Sequence, residues 1–151
     1  MKKINIFCFG FGQVAKNFVY NLNKTYDVNL AITSRDKTQK KKIYGINYNS
    51  YHFLDDSFDR EILKKIKNYD YILVSIPPKN GIDIVIKNFQ ETLEILKSNW
   101  ITYLSATSVY GDHNGEWVDE NSKVNPLTEN GKSRLNAEKI WINLAKKKNF
   151  P

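Results

Sequence analysis

At 151 residues the chain can hold one domain with a full hydrophobic core and is too short for two of ordinary size, so a single domain over residues 1–151 is expected. A composition of 41% apolar, 13% aromatic and 26% charged residues argues against a disordered chain, a collagen-like repeat or a disulfide scaffold, and the single cysteine, Cys8, excludes an intramolecular disulfide or a multi-cysteine zinc site. The net charge of +7 comes from lysines that are scattered, outside Lys40-Lys41-Lys42 and Lys146-Lys147-Lys148, and so reads as solvated surface in preference to a nucleic-acid footprint. No run approaches the roughly 18 to 20 apolar residues of a membrane span, and the segment after Lys2-Lys3 is too short for a signal peptide, which leaves a cytoplasmic chain with no membrane partner as the expectation.

The first element is Ile4 to Phe9, a nearly continuous apolar run ending at glycine, the pattern of a strand buried on both faces of a parallel sheet. Val14, Phe18, Val19 and Leu22 then recur at helical spacing, and Val28 to Thr33 gives a second strand. A basic segment, Lys37 to Lys42, leads to a weaker third strand over 46–53 and a polar helix holding Ile62, Leu63 and Ile66. Tyr71 to Ile76 is the fourth strand, stopped by Pro77-Pro78. Gly81 opens an amphipathic helix with Val85, Phe89, Leu93 and Leu96 on one face, and Trp100 to Ser105 is the fifth strand. A long irregular stretch follows, then a last helix from about Glu129 to Lys147 with Leu135, Ile140, Ile142 and Leu144 among its apolar positions.

Five strands alternating with helices predict an α/β fold, a doubly wound parallel sheet of the Rossmann type, whose ligands bind beyond the carboxyl ends of the strands. Gly10-Phe11-Gly12-Gln13-Val14-Ala15 fits the G-x-G-x-x-G/A fingerprint in the required place, after a strand and opening a helix. Gly10 permits the tight turn, Gly12 lets a pyrophosphate approach the backbone, and Ala15 lets the helix pack closely, with the helix N-terminus favouring negative charge. The competing reading is a glycine turn with no ligand.

Where a ribose-binding acid is expected, about 20 residues on, the second strand ends in Thr33-Ser34-Arg35. Ser34 and Arg35 suit a 2′-phosphate and so favour NADP over NAD; Asp36 is the counter-candidate, and Arg35 as a plain surface residue is the bland alternative. Asp55 is placed either at the adenine region or in a solvated loop. His52 and His113 are isolated and lack metal spacing, so no metal site is expected; Cys8 reads as a buried thiol and Trp117 as a packing residue.

Tyr103-Leu104-Ser105-Ala106-Thr107-Ser108-Val109-Tyr110-Gly111-Asp112, with Gly115 to Glu120, Pro126 and Gly131 to Glu138, resembles the strand-five region of the extended and atypical short-chain dehydrogenases/reductases, the NAD-dependent epimerase/dehydratase family. The resemblance implies a catalytic tyrosine, a lysine four residues later and a serine or threonine after strand five. At those positions stand Asn130, Arg134 and Ala106. Asparagine exchanges no proton near neutral pH and arginine does not titrate, so no catalytic residue is assigned beyond Thr107 as a weak substitute.

The resemblance also implies further strands and a substrate lobe, with Phe150-Pro151 leading into the sixth strand, so the chain reads as truncated relative to the family. Its fifth strand is expected to keep an open edge that a second polypeptide or self-association covers. The favoured function is an NAD(P)-binding protein without complete catalytic machinery. The alternatives are an oxidoreductase or epimerase completed by a separately encoded half, a non-catalytic regulatory protein, and a decaying gene fragment.

Overall fold

The apolar runs become the central strands of a mostly parallel sheet in a computed structural model that describes residues 1–148. In chain order the elements are β1 (Lys3–Phe9), α1 (Gln13–Leu22), β2 (Asp27–Ser34), β3 (Gln39–Ile43), β4 (Ile46–Leu54), β5 (Ser57–Phe58), α2 (Glu61–Lys65), β6 (Tyr71–Val74), α3 (Ile84–Glu94), β7 (Trp100–Tyr103) and α4 (Glu129–Lys148). Short 3-10 turns cover Ile66–Asn68 and Thr107–Val109. The strands lie in the order β3-β4-β2-β1-β6-β7, with β5 paired to β4 alone. β4, β2, β1, β6 and β7 run parallel, with Ile6 opposite both Leu30 and Tyr71.

The side chains of each strand alternate between two cores. On one face Phe7, Phe9, Tyr51, Phe53, Ile72 and Val74 meet Ile62 of α2, Phe89 and Leu93 of α3, and Trp141 and Leu144 of α4. Phe89 is the hub, its ring centroid 5.0 Å from that of Phe9 and 5.2 Å from that of Phe53. On the other face Ile4, Ile6, Cys8, Leu30, Ile32, Tyr48 and Leu73 meet Ala15 and Val19 of α1. Burying each large side chain contributes about 1.5–3 kcal/mol, which selects this register over one slipped by a residue.

The structure departs from the sequence reading in four places. The basic segment forms strand β3, antiparallel to the outer edge of β4, so β2 reaches its parallel neighbour β4 through a hairpin with no crossover helix. A lysine-rich edge strand carries no apolar alternation, which hides it from periodicity while its charges protect the edge. On α1, Val14 (63%) and Phe18 (45%) stay exposed, lining a groove beside β6 and β7 that no helix among the described residues covers. On α4, Trp141 turns inward and Ile142 outward, since the buried stripe runs Ala137, Trp141, Leu144. β6 and β7 end two residues early, although Ser75 still donates to Phe9 (2.9 Å) and Leu104 to Val74 (2.9 Å). Phe150-Pro151 lies outside the described residues.

Two buried polar groups join these layers. Asp83 caps α3 through Oδ1, accepting from the Val85 and Ile86 amides at 2.9 and 3.0 Å, while Oδ2 accepts from the Trp141 indole at 2.8 Å. Thr33, also buried, accepts the Gly10 amide at 2.9 Å and ties the glycine turn to the end of β2.

Candidate functional site

The chain leaves β1 toward β2 on one side and β6 on the other, so a crevice opens above the carboxyl ends of these strands at the reversal of strand order. A cleft of about 750 Å³ occupies that place, walled by Gly10, Phe11 and Gly12 after β1, Ser34 to Asp36 after β2, Leu54 and Asp55 at the end of β4, and Ser75 to Lys79 after β6.

The two glycines have different reasons to be glycine. Gly10 has φ +80, and a Cβ there would lie 2.9 Å from Ile76 Cγ1 and from Ser75 Oγ. The protein's own turn therefore demands it. Gly12 has φ −77, an ordinary value, and a Cβ there would meet nothing within 4 Å. No packing in the chain requires glycine at this position, and the space a side chain would fill opens at the cleft.

Gly12 is also the N-cap of α1, with no side-chain cap and no acidic residue in the first turn. The first ladder bond runs from the Lys16 amide to the Gly12 carbonyl at 3.0 Å, so the amides of Gln13, Val14 and Ala15 precede the ladder. Together with the uncompensated dipole they make a place for an anion.

At the other end of the cleft Ser34 Oγ shares a hydrogen bond with Ser50 Oγ at 2.9 Å, and the exposed Arg35 stands at the lip. His52 Nδ1 lies 3.1 Å from the carbonyls of both Arg35 and Asp36, so it donates to them and fixes the lip's backbone. Asp36 accepts from Lys41 Nζ at 2.7 Å. This hydrogen bond and the opposite charge hold the Asp36 carboxyl below its usual range and Lys41 above its own. Asp55 adopts φ 51, which aspartate tolerates, and its carbonyl accepts from Asn88 at 3.0 Å.

The cleft thus brings together Gly10, Phe11, Gly12, Ser34, Arg35 and Asp55. It does not gather every candidate. The Val14 side chain faces a separate apolar groove of about 470 Å³ floored by Ile4, Ile6 and Leu73, and Gln13 pairs along the helix with Asn17. Thr107 and Ala106 lie outside the cleft walls, both exposed. Asn130 borders a polar depression with Asn80, Ser133 and Asn136.

Arg134 is committed elsewhere, its Nη1 donating to the Leu104 carbonyl at 2.8 Å and to Tyr103 Oη at 3.2 Å, with the guanidinium over the Tyr103 ring. Among the described residues no group of three or more His, Cys, Asp or Glu could hold a metal ion, and no helix is long and apolar enough to cross a membrane.

Sequence reasoning missed Lys41, because β3 was invisible to it, and it named Thr33 and His52 without the hydrogen bonds they make to the Gly10 amide and the lip carbonyls. Lys16 was legible as one turn into α1 but carried no motif.

No protein-family model matches the sequence, and no curated protein matches it. Solved structures do. UDP-glucuronic acid 4-epimerase from Bacillus cereus, in complex with NAD, superposes with a TM-score of 0.76 at 17% identity over 98% of this chain and 54% of its own. UDP-N-acetylglucosamine 4-epimerase from Methanobrevibacter ruminantium M1, in complex with UDP-N-acetylmuramic acid, gives 0.77 at 17% over 99% and 53%. A conserved protein of unknown function from Silicibacter pomeroyi gives 0.72 at 24% over 93% and 49%. The chain shares its fold with about half of each. At these identities the likeness is one of fold, and this chain spans about half the length of the structures it matches.

Proposed function

We propose that this chain is an NAD(P)-binding protein of the short-chain dehydrogenase/reductase type, holding the dinucleotide pyrophosphate at the start of α1 and the adenosine ribose between β2 and β4. The observation that carries the reading is Gly12, a glycine that nothing inside the chain requires, at an uncapped helix N-terminus in the strand-order crevice. Phe11, Ser34, Arg35 and Asp55 line the path to the adenosine end. Arg35 favours NADP over NAD through charge-assisted bonds to a 2′-phosphate.

A bound dinucleotide supplies hydride chemistry, but this chain offers that chemistry no tunable acid or base at the resembling positions. Asn130 does not titrate, Ala106 has no hydroxyl, and Arg134 stays protonated, with its Nη1 held by Leu104 and Tyr103. The function supported best is therefore binding.

A thermal melt of the purified chain with NADP and with NAD tests this. Ligand at about 100 times its Kd stabilises by roughly 2.7 kcal/mol, a rise of about 5–10 °C for a chain of this size. A cooperative melt unmoved by either dinucleotide at millimolar concentration overturns the reading.

A second reading concerns the sheet edge. Among the described residues β7 pairs with β6 alone, Trp100 at its start is 51% exposed, and the adjoining groove is lined by Ile4, Ile6, Phe18 and Leu73. Coverage of this face by another polypeptide is supported by its apolar character, with a second copy the first candidate. Sedimentation across a concentration series reads it, and a strict monomer rejects the second copy.

A further inference from the structure

The lip of the cleft carries more positive charge than Arg35 alone. Pairing in β3 sets Lys41 opposite Tyr48 and Lys40 opposite Asn49. Because side chains alternate, Lys41 lies on the face of Tyr48, whose ring stands 5.7 Å from that of Phe11 in the cleft, while Lys40 lies on the other face. Lys41 and Arg35 both line the cleft, and the Asp36 carboxylate is held by Lys41 at 2.7 Å. The contact engages Oδ2 of that carboxylate and leaves it ionised, so Asp36 is an ion-pair partner that an incoming anion can replace. A phosphate monoester, carrying nearly two charges and three acceptor oxygens, competes with it for the same ammonium.

We propose that Lys41, delivered by the antiparallel strand β3, completes with Arg35 a subsite for the 2′-phosphate of NADP, and that Asp36 occupies Lys41 until the phosphate arrives. This deepens the dinucleotide reading and rests on it. The hairpin that replaces a crossover helix between β2 and β4 thereby becomes the element that sets cofactor choice. Of the cations in the cleft, Lys16 sits at the pyrophosphate end and Lys79 after β6; Arg35 and Lys41 share the β2 lip.

The test is calorimetric titration of the full chain and its variants with NADP, NAD and 2′-AMP. Lys41→Ala is expected to weaken NADP by about tenfold or more, the value of one charge-assisted bond, and to leave NAD within about twofold. Lys41→Arg should retain NADP, Lys40→Ala should behave as the parent, and Asp36→Asn, which frees Lys41, should tighten NADP and 2′-AMP. Each variant lies at the surface, so a melt confirms that it folds. If Lys41→Ala weakens both dinucleotides equally, or leaves NADP unchanged while the parent chain binds NAD, the subsite is refuted and the dinucleotide reading stands. If the folded parent binds neither, the dinucleotide reading falls and the subsite with it.

Discussion

Replacing Gly10 and Gly12 separately by alanine should divide the fold from the site. At Gly10 an alanine Cβ must adopt φ near +80, which costs about 1 kcal/mol, and it meets Ile76 Cγ1 and Ser75 Oγ at 2.9 Å, an overpacking of about 1–3 kcal/mol. The sum, about 2–4 kcal/mol, lowers the melting temperature by roughly 5–15 °C. At Gly12 the backbone is ordinary and the space open, so the folding cost is only that of alanine against glycine at an N-cap, about 0.5–1 kcal/mol. The methyl group does, however, occupy the approach to the Gln13 and Val14 amides, and dinucleotide affinity should fall by about tenfold or more. Melting curves with and without NADP read both quantities on the same samples. A Gly12→Ala chain that binds as the parent does would refute the argument that a pyrophosphate explains this glycine.

Asp83→Ala removes the α3 cap and strands the buried Trp141 indole, and should destabilise by about 2–4 kcal/mol in urea unfolding; a loss under about 1 kcal/mol would show that the α3–α4 stitch is dispensable. Arg134→Ala takes a donor from the Leu104 carbonyl and should cost about 1–2 kcal/mol, with Arg134→Lys recovering part of it and dinucleotide affinity unmoved; a large change in affinity would return Arg134 to the site. Burial pushes the Cys8 thiol from its ordinary 9.0 up to about 12, so the folded chain keeps a proton that the unfolded chain releases. Stability from this source is complete below about pH 9 and is lost as pH rises toward about 12, at up to about 1.4 kcal/mol per pH unit. Tyr69, raised by burial from 10.0 to about 12, adds the same sign above its ordinary value. Urea midpoints across this range should fall less steeply in Cys8→Ala, and an equal slope would mean that the thiol does not contribute.

Residues with a repeating pattern are legible in the sequence. The apolar runs of β1, β2, β4, β6 and β7 exceed what a loop can expose, so burial alone makes them strands, and the glycine pair followed by a helical repeat locates the turn at the head of α1. Thr33-Ser34-Arg35 and Asp55 are legible as strand-end residues because parallel strands present their carboxyl ends to one crevice. Such features depend on neighbours along the chain. The charged strand β3 is not legible, since its lysines pair with β4 through backbone hydrogen bonds that leave no mark on hydropathy. The same holds for Lys41 meeting Asp36, Thr33 meeting the Gly10 amide, His52 meeting the lip carbonyls, and Trp141 meeting Asp83. Nor can periodicity tell that Val14 and Phe18 face open space, because exposure on a helix depends on what the rest of the sheet carries. Which segments must be buried, and where a turn must be glycine, are local costs in water and are therefore written along the chain. Which charges and hydrogen-bond donors converge is left to the folded arrangement, because their partners lie many residues away and geometry selects among them.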